Sequence, residues 1–261
     1  MQPAAHNRNY GAVDVRPEVL AFGERADDYE KGRPDYPASA VSWLVDALRI
    51  GSGSTVVDIA AGTGKLTRLL LPTGARVVAV EPVAGMRDVL RAVVPGTEVV
   101  EGVAEDLPLP DNFAGAVTVA QAFHWFRAEV ALAEIRRVLV PGGRLGLIWN
   151  RRRLDQPVQA ELATLMNRYR GETPSHDSRT WKTAFLGGQG FGPLAEADFP
   201  MEQVVGREQL VARVLSVSFM AALTAGEQAG VAHEVTEIAD RYGDPIVLRY
   251  TTKAYWSQAT G

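Results

Sequence analysis

The chain has 261 residues, 46% hydrophobic and 22% charged, a balance that excludes a disordered or fibrous protein and is long enough to bury a large core. Cysteine is absent, which rules out disulfides, thiolate catalysis, iron–sulfur ligation and cysteine zinc sites and accords with a reducing, cytoplasmic setting; the four histidines, His6, His124, His176 and His233, lie too far apart for a local metal motif. A formal charge of -4 leaves no overall pull toward nucleic acid or an anionic membrane, so neither is expected as a partner.

The opening MQPAAHNRNYGAVDVRPEV has no basic stretch leading into an apolar run, and nowhere do about 18 apolar residues run together, so neither export nor membrane spanning is expected. Residues 1–36 are polar and rich in Gly, Pro and charge, and read as an arm that orders where something holds it. Val41, Leu44, Val45 and Leu48 then predict a helix that ends by Gly51-Ser52-Gly53-Ser54. Thr55 to Ala60 is a short apolar run suited to a strand buried on both faces, and a second strand is expected at Arg76 to Val80. Leu66, Leu69 and Leu70 mark a helix between them, which makes a βαβ unit.

The pattern continues with a helix over Val83 to Val93, strands at Glu98 to Val100 and Gly115 to Ala120, and a helix striped by Ala131, Ile135, Val138 and Leu139. That helix stops at Pro141-Gly142-Gly143 before a strand from Arg144 to Trp149. Alternating strands and helices predict an α/β, doubly wound, Rossmann-like sheet, mostly parallel and seven-stranded, with helices on both faces. Past Asn150, a helix through Val158, Leu162, Leu165, Met166 and Tyr169 and the Gly187-Gly188-Gln189-Gly190 stretch read as a helical insertion or lid. Helices near Glu208 to Leu223 and Glu227 to Tyr242 lead to a last strand at Pro245 to Trp256, expected as a late edge hairpin. Residues 37–261 form one domain on this view, with 37–150 binding a cofactor and 151–261 facing a substrate.

In such a sheet ligands bind at the carboxyl ends of the strands. The turn after the first strand is Asp58-Ile59-Ala60-Ala61-Gly62-Thr63-Gly64-Lys65, whose small residues let a ligand approach the backbone. Asp58 would repel a pyrophosphate and attract an ammonium group, and Glu81, ending the second strand, suits both hydroxyls of a ribose. An amine and a ribose together suggest S-adenosylmethionine. A P-loop fails because Ile59 stands at its first glycine and Leu66 at its magnesium hydroxyl. A nicotinamide fingerprint fails at Thr67, where the third glycine belongs, and a tight turn without a ligand would explain the glycines only if they stood alone.

The strings VVDIAAGTGKLTRLLL, AVEPVAGMRDVL, GVAEDLPLPDN, QAFHWF and EIRRVLVPGGRLGLIWN occur in the order seen in class I S-adenosylmethionine-dependent methyltransferases, which this chain resembles from about Tyr29 to Asn150. Within that family it is similar to the trans-aconitate methyltransferase branch of small-molecule methyltransferases. Ala60 departs from the commonest DxGxGxG form. The resemblance implies that Asp58, Ala60, Gly62, Thr63 and Gly64 line the methionine part of the cofactor and Glu81 the ribose. Pro82 and Met86 would face the adenine, Ala104 and Glu105 its edge, and Gln121 and Ala122 the sulfonium. Tyr29 and Arg33 of YEKGRPDYP resemble residues that close over the cofactor, although Met86 also suits plain helix packing.

Methyl transfer is an in-line displacement at a carbon already activated by sulfur, so the protein chiefly aligns the nucleophile and excludes water. His124, just after the fourth strand with Trp125, is the candidate base or positioning group, or else both rings pack a rigid loop. Trp149, Asn150 and Arg151 end the fifth strand on the ligand side, and a guanidinium of Arg151-Arg152-Arg153 could hold a carboxylate, although most of the run suits a solvated surface. Trp181, His176, Ser216 and Ser218 could line the acceptor pocket, with core packing or exposure explaining each equally well. The expected activity is methylation of an acidic small molecule at a carboxylate by a monomer or homodimer. The alternatives are a hydroxyl, amine or carbon acceptor, and a protein that binds S-adenosylmethionine without transferring its methyl group.

Overall fold

The computed structural model describes residues 23, 26–171, 173, 180–186 and 190–260. The chain enters as helix α1 (Ala26–Gly32) and then α2 (Ala38–Leu48), which ends where Arg49 turns left-handed at φ 55°. Strands β1 (Thr55–Ile59), β2 (Arg76–Val80), β3 (Glu98–Val100), β4 (Ala114–Ala120) and β5 (Leu139–Arg152) follow, with α3 (Thr67–Leu70), α4 (Ala84–Val93) and α5 (Ala128–Val138) between them. The second half holds α6 (Pro157–Asn167), α7 (Thr180–Leu186), β6 (Ala195–Val205), α8 (Arg207–Leu215), α9 (Ser218–Ala221), α10 (Ala225–Tyr242) and β7 (Ile246–Gln258).

The sheet has seven strands in the order β3-β2-β1-β4-β5-β7-β6, as expected in number, but it is mixed rather than wholly parallel. Strands β1 to β5 run parallel, while β7 lies antiparallel between β5 and β6. This corrects the expected edge hairpin: β7 is interior, and β6 forms the edge. Strand β6 escaped notice because its inward residues, including Ala195, Ala197 and Gln203, are small or polar, and Pro200 interrupts the run. A proline is tolerated there because an edge strand presents half of its N–H groups to solvent.

The central strands bury both faces, which is why they read as continuous apolar runs. On one face Val57, Val78, Val119 and Leu147 pack beneath Leu132, Ile135 and Val138 of α5. On the other, Val56, Val77, Ala116 and Ile148 meet the stripe Val41, Leu44 and Leu48 of α2. Each large side chain so buried contributes about 1.5–3 kcal/mol. A separate apolar layer joins α6, α8, α9 and α10 to Val205, Ile246 and Tyr250, at the end of the sheet where β5 finishes. The single helix expected over Glu208 to Leu223 is broken into α8 and α9 at Ser216 and Val217. Of the arm, residues 1–22, 24 and 25 lie outside the described residues, as do His6, His176 and most of the 187–190 glycine stretch. Among the described residues no helix is long and apolar enough to cross a membrane.

Candidate active site

Strand β1 ends in a turn whose backbone is mostly left-handed: φ is 52° at Ala60, 58° at Gly62 and 85° at Gly64. A residue with a Cβ pays about 1–2 kcal/mol for this conformation, which explains why a glycine is commoner at position 60. The same strain recurs at Gln121, φ 58°, after β4. Both residues line one cavity of about 880 Å³ at the carboxyl ends of the strands, the usual place for sparsely populated backbone to serve a ligand.

The structure brings most of the sequence-derived residues to this cavity. Tyr29, Arg33, Ala60, Gly62 and Thr63 line it, as do Glu81, Pro82, Met86, Ala104 and Glu105. So do Gln121, Ala122, His124, Trp125 and Asn150. A Cβ at Gly62 would meet nothing within 4 Å, so that backbone is open to a ligand. Met86 serves twice, facing the cavity and packing with Ala26 and Val83.

Asp58 and Gly64 are corrected. Asp58 is fully buried on the α3 side of the sheet, away from the cavity lining. Its Oδ2 accepts from Thr67 Oγ1 at 2.7 Å and its Oδ1 from Thr118 Oγ1 at 2.8 Å. Burial pushes its carboxyl up to about 6, held back by those hydroxyls. Asp58 thus ties β1 to α3 and β4 and holds the turn from below. Gly64 faces α4, where an added Cβ would lie 2.9 Å from Val94 Cγ2 and 3.1 Å from Leu90 Cγ. Its smallness serves turn-to-helix packing.

Glu81 stays at the cavity, where its Oε2 accepts from Gly62 N and its Oε1 from Val83 N, each at 2.9 Å. Each oxygen retains a lone pair for a further donor. Burial raises its carboxyl to about 7, partly opposed by the two backbone donors and by Arg87. Arg87 in turn donates to Glu81 O at 2.9 Å and Pro82 O at 2.7 Å, which fixes the loop that carries the acid. Glu105 Oε1 accepts from Arg127 N at 2.8 Å.

Helix α1 is fastened over the turn by charge. Glu30 accepts from Thr63 Oγ1 at 2.5 Å and pairs with Arg68 and Lys65, while Asp35 pairs with the same two cations. Asn150 Nδ2 donates to Asp35 O at 2.9 Å, so β5 also holds the arm.

His124 and Trp125 sit in a short turn, Phe123–Trp125, anchored by Phe123, whose ring is buried against Phe126, Trp181 and Phe185. Trp149 and Trp181, expected at the substrate, are instead stacked on each other at 4.7 Å in the core beside Tyr255. Arg151 does not line the cavity and Arg152 does. The reason is the strand period: β5 continues through Arg152, so Asn150 and Arg152 share one face while Trp149 and Arg151 share the other. Ser218 lines the cavity, whereas Ser216 is buried and its carbonyl accepts from Arg33 Nη2 at 3.1 Å.

Sequence reasoning missed Arg170 and Arg213, which join Arg33 and Arg152 in the lining. Burial pulls the Arg33 guanidinium down to about 10 and Arg152 to about 9, with neighbouring Arg213 adding to both shifts. A signal for Arg213 existed: it falls between Leu210 and Val214 on the buried stripe of α8, where an arginine is rare without a purpose.

Comparison with known proteins agrees with this geometry. Residues 57–147 match the family model described as a methyltransferase domain. The chain is 37% identical over 247 residues to an uncharacterized methyltransferase-like protein of Schizosaccharomyces pombe, covering 92% of this chain and 96% of that one. It is 51% identical over 133 residues to an uncharacterized methyltransferase of Mycobacterium bovis, covering 51% of this chain and 53% of the relative. In fold it resembles the structure of a putative type II methyltransferase from Anaeromyxobacter dehalogenans, with TM-score 0.62 and 22% identity over 87% of this chain and 97% of that one. The chain belongs to the methyltransferase-domain family and is a methyltransferase of the class I, Rossmann-like fold.

Proposed function

We propose that the protein transfers a methyl group from S-adenosylmethionine to an anionic small molecule, with a carboxylate oxygen as the acceptor. One observation carries this: a single cavity is lined both by the glycine turn with Glu81 and by the guanidinium groups of Arg33, Arg152, Arg170 and Arg213. The likeness in sequence to the trans-aconitate methyltransferase branch agrees with an acidic acceptor. The residues fit the cofactor, because Gly62 leaves open space where a side chain would stand and Glu81 keeps an acceptor lone pair on each oxygen. When bound, S-adenosylmethionine supplies a methyl carbon activated by a positive sulfur.

The chain's own residues then have modest tasks. Glu81 holds the ribose hydroxyls, and Gly62 and Ala60 let the backbone approach the methionine part. Pro82, Met86 and Ala104 enclose the adenine, with Glu105 at its edge. Tyr29, Tyr36, Phe126 and Phe219 line the cavity and exclude water. An acceptor carboxylate, with an ordinary pKa near about 4, is already ionised, so His124 orients it rather than deprotonating it.

Incubating the protein with methyl-labelled S-adenosylmethionine and a metabolite extract tests the reading. Label released as volatile methanol by mild base establishes a methyl ester. Base-stable label overturns carboxylate methylation in favour of a hydroxyl, amine or carbon acceptor, and absence of transfer with any extract favours a protein that only binds the cofactor.

A further inference from the structure

Arg152 comes from the end of β5, Arg170 from the segment after α6, Arg213 from α8 and Arg33 from the arm, so four separate parts of the chain deliver positive charge to one cavity. Elsewhere in the protein arginines meet carboxylates, as in Arg68 with Glu30 and Arg137 with Glu134. Here the partners are neutral. Arg33 donates to the hydroxyl and carbonyl of Ser216, Arg152 to Met166 Sδ at 3.4 Å, and Arg170 to Asn167 Oδ1 at 3.0 Å while lying over the Phe219 ring. Arg213 is buried, and its Nε and Nη1 have no hydrogen-bond partner among the described residues. Unpaired buried donors on like-charged neighbours are costly, and a fold that keeps them has a counter-charge to receive.

The reaction narrows what that counter-charge is. Esterifying a carboxylate joins its oxygen to the methyl carbon, breaks the carbon–sulfur bond and removes one negative charge from the acceptor. A monoanion would leave the guanidiniums without a counter-ion once methylated. An attacking oxygen must also keep its lone pair for carbon rather than spend it on an arginine. We infer that Arg152, Arg170 and Arg213, closed over by Arg33, form a subsite for a second, non-reacting anionic group on the acceptor, carrying two negative charges as a phosphate-type group or as paired carboxylates. This rests on the methyl-transfer reading above.

The test uses the full chain saturated with S-adenosylhomocysteine at low ionic strength, titrated calorimetrically with inorganic phosphate, succinate or propionate. Phosphate or succinate is expected to bind at least about tenfold more tightly than propionate, and whichever of them binds identifies the form of the group. Arg213→Leu and Arg152→Met should each weaken that binding about tenfold or more while S-adenosylhomocysteine affinity stays within about twofold. Each should also raise the melting temperature of the anion-free protein, because a repelling charge is removed, whereas a merely structural arginine would lower it. Propionate binding as well as both dianions, or dianion affinity unchanged in both variants, overturns the inference. Failure of S-adenosylhomocysteine to bind would instead strike at the methyl-transfer reading, since the same anion titration without it still reads the arginine subsite.

Discussion

The backbone N–H of Gly62 donates to Glu81 Oε2 at 2.9 Å, so the acid that ends β2 holds the turn that follows β1. One carboxylate thereby shapes the cradle and faces the space the ligand fills. Its carboxyl is raised from 4.5 to about 7 by burial, and that of Asp58 from 3.8 to about 6. The folded state therefore binds these protons more tightly than the unfolded chain, and the stability they contribute is present below pH 4.5 and lost as pH rises through about 7. Glu81→Gln should gain stability relative to wild type as pH rises through this window, by at most about 1.4 kcal/mol per pH unit. Melting curves of both proteins at about pH 5 to 8 check this; a constant difference would contradict it. The same substitution should weaken S-adenosylmethionine binding about tenfold or more, measured by calorimetry.

Ala60 and Gly64 should respond in opposite directions. Ala60→Gly relieves a residue held at φ 52° and should leave stability unchanged or raise it by up to about 1 kcal/mol. Gly64→Ala places a Cβ against Val94 and Leu90 at φ 85° and should cost about 1–3 kcal/mol. Urea midpoints of the two variants give the answer.

Trp181 stacks on Trp149 beneath the cavity wall rather than in it. Trp181→Ala should lower stability by about 3–5 kcal/mol, the cost of a large core deletion. At a temperature where the variant stays folded, its KM for the acceptor should remain near that of the wild type. A raised KM with unchanged stability would return Trp181 to the substrate site.

His124→Ala distinguishes orientation from proton transfer. With a carboxylate acceptor, kcat should fall by less than about tenfold and lose no limb of its pH profile. A loss of about 100-fold or more, with cofactor affinity retained, would make His124 a base and the acceptor a protonated group.

The clasp of Glu30 and Asp35 on Lys65 and Arg68 is electrostatic and partly exposed. Glu30→Gln should therefore weaken cofactor binding only several-fold, about 1 kcal/mol, and make that binding less sensitive to salt than in the wild type. Hydrogen exchange over residues 26–37 should quicken in the variant. Unaltered exchange there would mean that apolar contacts alone hold α1.

The sequence by itself determined the alternation of strand and helix, the turn from Asp58 to Lys65, Glu81 and the QAFHWF segment, because each is written in consecutive residues whose period or spacing carries the signal. Only tertiary structure decided which of these reach the ligand space. Asp58 and Gly64 sit inside the motif yet face α3 and α4, since a turn presents some residues inward and others to the packing beneath it. The choice of Arg152 over Arg151 hung on how far β5 extends, because a strand that ran only to Trp149 would leave both arginines in a loop with no fixed face. The place of β7 inside the sheet depended on pairing with β6, a partner whose own pattern is faint. Arg33, Arg152, Arg170 and Arg213 are spread over 180 residues of difference in number between the first and last of them. Long-range packing at the end of the sheet, not any local pattern, makes them one site.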